Sequence, residues 1–96
     1  MGLNVETDSN QNRLIVEGEL TIYHVADAKA ALLSLPDATL DLSGITEIDG
    51  AGVQMLMLAH RDAGLNLGAV SDTVGEVLRL TGLTAWQTES ANQALA

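Results

Sequence analysis

The order in which hydrophobic periodicities follow one another limits the folds open to this chain more than any other feature. Residues 3–7 alternate apolar and polar side chains, Asp8-Ser9-Asn10-Gln11-Asn12 is a polar bridge of turn formers, and residues 13–17 alternate again. This predicts an antiparallel strand pair. After Gly18-Glu19-Leu20-Thr21 the period changes: Val25, Ala28, Leu32 and Leu35 recur at helical spacing across residues 23–35, until Pro36 stops the pattern. A short strand is expected over residues 38–42, between Pro36-Asp37 and Ser43-Gly44. A buried helix follows from about residue 51 to 62, ended by Gly64, and residues 65–70 read as another inner strand. A third helix opens after Ser71-Asp72-Thr73, with Thr73 and Glu76 at capping-box spacing, and Gly82 closes it. Residues 84–88 suit a short strand and residues 90–96 a terminal helix.

The expected order is therefore β-β-α-β-α-β-α-β-α, an α/β fold in which about four helices pack on a mixed sheet of about five strands. With 96 residues the chain is read as one domain, large enough to bury a core without a metal or disulfide. It has no Phe and no Cys, and Tyr23 and Trp86 are its aromatic residues, so the core falls to Leu, Val, Ile, Met and Ala. The absence of Cys removes thiolate and disulfide chemistry and suits a reducing cytoplasm. The first residues carry neither a positive n-region nor a long apolar run, and the most apolar stretch, residues 53–59, is too short to span a bilayer. A cytoplasmic protein without direct membrane insertion is the expectation.

Thirteen acidic residues against four basic ones give a formal charge of −9, which repels a phosphate backbone or an anionic membrane. Arg13, Lys29, Arg61 and Arg79 form no basic run, so nucleic-acid binding is not expected. Catalysis is not expected either. His24 and His60 are read as helix-surface or edge residues, without metal spacing and without a nucleophile placed beside them. Asp41 and Asp49, near the ends of predicted strands, are the carboxylates one would test for a phosphoacceptor pocket, but the chain lacks the repeated β/α alternation and late lysine of such a site. Gly44, Gly50 and Gly52 match neither the P-loop nor the dinucleotide fingerprint, and no cofactor is expected.

The informative stretch runs from Leu40 to Val53, where an apolar strand enters the turn Ile48-Asp49-Gly50-Ala51-Gly52 and a Leu- and Met-rich helix leaves it. Asp49 suits an N-cap or turn former as well as a docking residue, and Gly50 and Gly52 suit positive φ or close backbone approach. On a helical wheel Val53, Leu56, Met57, Ala59, His60 and Ala63 share one broad face, with Gln54 and Arg61 opposite. Met55 and Leu58 fall outside that face. They suit either a partner surface or burial beneath a neighbouring loop or helix.

This stretch resembles the STAS family, the sulfate-transporter and anti-sigma-factor-antagonist domains, through Asp41-Leu42-Ser43-Gly44 and Ile48-Asp49-Gly50-Ala51-Gly52-Val53. Gly18-Glu19-Leu20-Thr21 is similar to the family's early motif, and Ser71-Asp72-Thr73-Val74 through Leu80-Thr81-Gly82-Leu83 to its third helix and following turn. The resemblance implies a non-enzymatic module that docks reversibly to a protein partner, typically an anti-sigma factor that is also a serine kinase. It also implies a phosphorylated Ser or Thr directly after the turn's Asp. Here that position is Gly50, which has no hydroxyl, so the usual phosphoswitch cannot operate there; Ser43 and Thr46 are the nearest other acceptors. The implied partner surface is Asp49, Gly50, Ala51, Gly52, Gln54, Met55 and Leu58. Gly18 to Tyr23 is equally similar to the STAS subunit of bacterial phospholipid ABC transporters, whose partner is an ATPase subunit. A chemotaxis-linked regulator and a nucleotide sensor are further branches of the family, and the sequence leaves the oligomeric state open.

Overall fold

The computed structural model describes residues 2–82 and Trp86. Four strands form one sheet in the order β1 (Leu3–Asp8), β2 (Arg13–Leu20), β3 (Thr39–Ile48) and β4 (Asn66–Val70). β1 and β2 are antiparallel, whereas β2, β3 and β4 run parallel. The helices α1 (Val25–Leu32), α2 (Gly50–Ala63) and α3 (Asp72–Thr81) connect or follow the parallel strands, which need a crossover connection. The described residues thus hold four strands and three α-helices in the expected order. The fourth helix, expected over 90–96, lies outside the described residues, as does the fifth strand expected over 84–88 except at Trp86, which is helical and not in a strand.

Alternation along the strands decides which face of the sheet is covered. Leu14, Val16, Leu40 and Leu42 point to one side and are buried with Ile45, Leu65 and Leu67 under the helices. Arg13, Ile15, Thr39 and Asp41 alternate with them and stay half-buried on the opposite side, and Glu17 and Ser43 are exposed there. From the helices, Ala28, Leu32, Leu56, Ala59, Val74 and Leu78 complete a single core. Leu3 and Val5 of the outer strand flank it, half-buried.

Two strands are longer than their patterns predicted. β2 continues through Gly18, whose φ is 100°, and where a Cβ would lie 2.2 Å from the Gly2 carbonyl oxygen. β3 continues through Ser43-Gly44, which had read as its end. The Ser43 N–H and hydroxyl both donate to the Asp41 carboxylate, at 3.0 and 2.7 Å, and the β2–β3 register shifts beside them. A bulge, not a turn, absorbs these residues. Asp41 therefore sits within a strand and not at its end.

α1 is shorter than its periodicity. A 3₁₀ turn at Ile22–His24 precedes it, and Ser34 closes it by donating its N–H and hydroxyl to the Ala31 carbonyl, at 3.2 and 2.6 Å. Leu35, which precedes Pro36, leaves the helix as that position favours, yet still packs on the core. α2 and α3 end in left-handed glycines, Gly64 and Gly82, as expected. The cap of α3 is Ser71, which accepts from the Val74 N–H at 3.2 Å, so the Thr73–Glu76 spacing is not its capping box. No helix among the described residues is long and apolar enough to cross a membrane.

Candidate functional site

β2 and β3 end side by side, with Leu20 paired to Ile48, so the segments that leave them start at one edge of the sheet. That edge, at the carboxyl ends of parallel strands, is where α/β sheets present binding residues. Asp49 joins the two segments. One carboxylate oxygen accepts from the Gly52 N–H at 2.9 Å and caps α2, and the other accepts from the Ile22 N–H at 3.0 Å in the opposite segment. The N–H groups of Ile22, then Gly52, hold its carboxyl below the usual aspartate range. Asp49 is thus the N-cap of α2 and also a tie between two loops.

The two glycines of the turn differ in kind. A Cβ on Gly52 would lie 2.2 Å from the Leu20 carbonyl oxygen and 2.8 Å from Ile48 Cγ1, so the helix start presses directly on β2. A Cβ on Gly50 would meet nothing within 4 Å, and the residue is exposed. Neither has positive φ. Close approach explains Gly52, whereas no packing constraint requires a glycine at position 50.

Beyond the turn, the structure gathers Ala51, Gln54, Met55 and Leu58 along one groove between α1 and α2. Val25 closes it from α1, and Met57 and Arg61 complete its rim. The helical phase differs from the wheel in one respect. Met57, assigned to the buried face, is 48% exposed, and Met55, assigned outside it, is half-buried against the core. The buried stripe is the narrower set Gly52, Leu56, Ala59 and Ala63. Beside the groove, Ile22 and Tyr23 stand 62% and 89% exposed on the 3₁₀ turn. These two were not singled out from sequence, although two large apolar residues outside the strand pattern were a usable signal.

A second hollow lies on the other side of Asp49, lined by Glu19, Thr21, Tyr23, His24, Glu47 and Ile48. Glu19 and Glu47 are register partners across β2 and β3. The hydrogen bond between these carboxyl groups, with the repulsion of Glu19 and Asp49, holds Glu47 above the usual glutamate range. Sequence spacing gave no sign of this pair, because it depends on the register shift between Gly18 and Glu19.

The remaining polar candidates are engaged in structure. Ser43 donates to Asp41 and Thr46 to the Gly18 carbonyl at 3.3 Å. Burial pushes Asp41 up, but the Ser43 hydroxyl and N–H and the Arg13 guanidinium, 3.6 Å away, outweigh it and leave the carboxyl below its ordinary value. His60 is not a plain surface residue: its ring lies 5.0 Å from that of buried Trp86, whose indole N–H donates to the Leu65 carbonyl at 2.9 Å. No group of His, Cys, Asp and Glu able to hold a metal ion occurs among the described residues.

The family model described as Mlab, STAS domain matches residues 3–88. The chain belongs to the STAS domain family. No curated protein matches it. Membership agrees with the mixed sheet, with helices over one face, and with the sequence resemblance at the Asp49 turn. STAS domains are commonly protein-interaction modules and are generally non-enzymatic. In this STAS domain the groove and the turn lie together at one edge of the sheet.

Proposed function

We propose that this STAS domain is a non-enzymatic docking module that engages a cytoplasmic protein partner with the Asp49–Gly52 turn and the groove between α1 and α2. The observation that carries this reading is the groove itself: Ala51, Gln54, Met55 and Leu58 line it, directly after an exposed Gly50. An accessible apolar groove bordered by polar residues suits protein recognition. The whole chain acts as one such domain.

The leading assignment is an anti-sigma-factor antagonist whose partner is an anti-sigma factor with serine-kinase activity. Gly50 stands at the phosphoacceptor position, so the module stays in its binding-competent state and ATP does not dissolve the complex. The space around Gly50 supports a direct test, since a hydroxyl-bearing side chain fits there. Gly50→Ser is expected to become phosphorylated by the cognate kinase and to lose the partner, because a phosphate adds about −2 charge. No phosphorylation by a kinase that binds the unmodified domain counts against the assignment.

A second reading, an accessory subunit of a membrane transport complex, is favoured by the exposed Ile22-Tyr23 pair in the Gly18–Tyr23 stretch. Affinity purification from the native host with mass spectrometry separates the two. A serine kinase among the retained proteins supports the first, and a transporter ATPase subunit supports the second. Retention of either, undiminished by Leu58→Asp, counts against the groove in both.

A further inference from the structure

Asp49 is the chain's one aspartate or asparagine that is followed by glycine. Glycine lacks the Cβ that elsewhere shields a backbone nitrogen, so at such a pair the nitrogen can attack the carboxyl of the preceding side chain. The Gly50 nitrogen bonds to Asp49 Cγ, a carboxyl oxygen leaves as water with the amide proton, and a five-membered succinimide results. Water then opens the ring. Cleavage at the Cγ carbonyl restores aspartate, whereas cleavage at the main-chain carbonyl leaves the chain running through Cγ as isoaspartate. The sum is an isomerisation that needs no reagent but water.

Packing does not shield this nitrogen: Gly50 is exposed, and a Cβ added to it would meet nothing within 4 Å. The restraint lies in the carboxyl. One oxygen accepts from the Gly52 N–H at 2.9 Å and the other from the Ile22 N–H at 3.0 Å. With both oxygens held, the carboxyl cannot turn its carbon toward the Gly50 nitrogen without releasing a donor. The same donors favour the ionised form, whose oxygen is the poorer leaving group. Gly52 belongs to the helix that Gly50 begins and moves with the turn, whereas Ile22 reaches across from the segment that leaves β2. The Ile22 bond is therefore the one that breaks when the two segments part.

We propose that Asp49–Gly50 is a self-modification site at which aspartate isomerises to isoaspartate, and that the Ile22 N–H is its latch. The reaction proceeds from the molecules in which the latch is open, so its rate follows their fraction. The extra backbone methylene carries the carboxylate away from both donors. A modified chain thus loses the cap of α2 and the tie between the loops together.

The test is incubation of the intact 96-residue chain at neutral pH, with isoaspartate counted by an isoaspartyl carboxyl methyltransferase and located by mass spectrometry. Isoaspartate is expected at position 49, forming more slowly in the folded chain than in urea. Ile22→Pro removes the latch's donor. It suits the site, because Thr21 is extended, the 3₁₀ turn has the φ that proline fixes, and the Ile22 side chain is 62% exposed. The folded variant is expected to isomerise about tenfold faster, as the loss of a hydrogen bond to a charged group implies. Ile22→Ala keeps the N–H and is expected to leave the rate unchanged. Gly50→Ala restores a Cβ in open space and is expected to slow the reaction in both the folded and the unfolded chain. Should circular dichroism find Ile22→Pro unfolded, hydrogen exchange replaces it: the open fraction of the Ile22 amide is expected to equal the ratio of the folded to the unfolded isomerisation rate. Equal rates in the folded chain and in urea, no acceleration in folded Ile22→Pro, or equal acceleration by Ile22→Ala overturns the latch. A failure of isoaspartate to form at position 49 even in urea overturns the site itself.

Discussion

Gly50 and Gly52 stand one residue apart and have opposite tolerances for a side chain. At Gly52 a methyl group runs into the Leu20 carbonyl oxygen at 2.2 Å, backbone that cannot rotate away. Gly52→Ala is expected to lower unfolding stability by about 3 kcal/mol in urea titrations. Gly50→Ser, with open space around it, is expected to stay within about 0.5 kcal/mol of the unmodified protein. The two carboxylates beside this turn carry opposite pH dependences. Asp49 has a folded value below its ordinary 3.8, so its stabilisation is complete above that value and disappears as pH falls through the lower, folded one. Asp49→Asn is therefore expected to lower the Tm at pH 7, with the difference closing in acid. Glu47 has a folded value above its ordinary 4.5, so its contribution is complete below 4.5 and is lost as pH rises through the folded value. Glu47→Gln is expected to raise the Tm at neutral pH and to give no gain below pH 4.5.

At the scale of the element, α2 has two jobs that its residues divide. Gly52, Leu56, Ala59 and Ala63 face the sheet, and Met57 and Leu58 face the groove. Met55 belongs to both, lining the groove while packing on the core. The division predicts a contrast between neighbouring methionines. Met55→Asp places a charge against apolar core atoms and is expected to cost about 2 kcal/mol or more, whereas Met57→Glu is expected to change stability by less than about 0.5 kcal/mol. Thermal melts of the two variants side by side check this. The wheel placed Met57 on the buried face and left Met55 open between a partner surface and burial, because an ideal period of 3.6 residues fixes relative directions along a helix but not its rotation about its own axis. That rotation follows from the close approach of Gly52 to Leu20. α1 shows the complementary case. Its buried positions Ala28 and Leu32 were legible from spacing, but its end was not, since Ser34 diverts the backbone before Pro36 is reached.

For the molecule as a whole, the buried Trp86 is the most informative contact. Its indole lies against His60 of α2 and hydrogen-bonds to Leu65 at the entry of β4, so it ties the chain beyond α3 to two earlier elements. Trp86→Ala is expected to cost about 3–5 kcal/mol, a large share of the roughly 5–15 kcal/mol typical of a domain. Trp86→Phe, which keeps a ring but leaves the Leu65 carbonyl without its donor, is expected to cost about 1–3 kcal/mol. Intrinsic fluorescence of Trp86, the chain's single tryptophan, should be blue-shifted and change together with circular dichroism on unfolding. The sequence by itself determined the order and type of the elements from residue 3 to 82, the glycine stops of α2 and α3, and the Asp49 turn, because these follow from local periodicity and backbone preference. It also carried the resemblance that family membership now supports. Only the tertiary structure decided that β3 runs through Ser43-Gly44, that Gly52 and not Gly50 is sterically fixed, and that Glu19 meets Glu47 beside an apolar groove. Each of these depends on strand register or helix rotation, which are set by contacts between residues far apart in the chain.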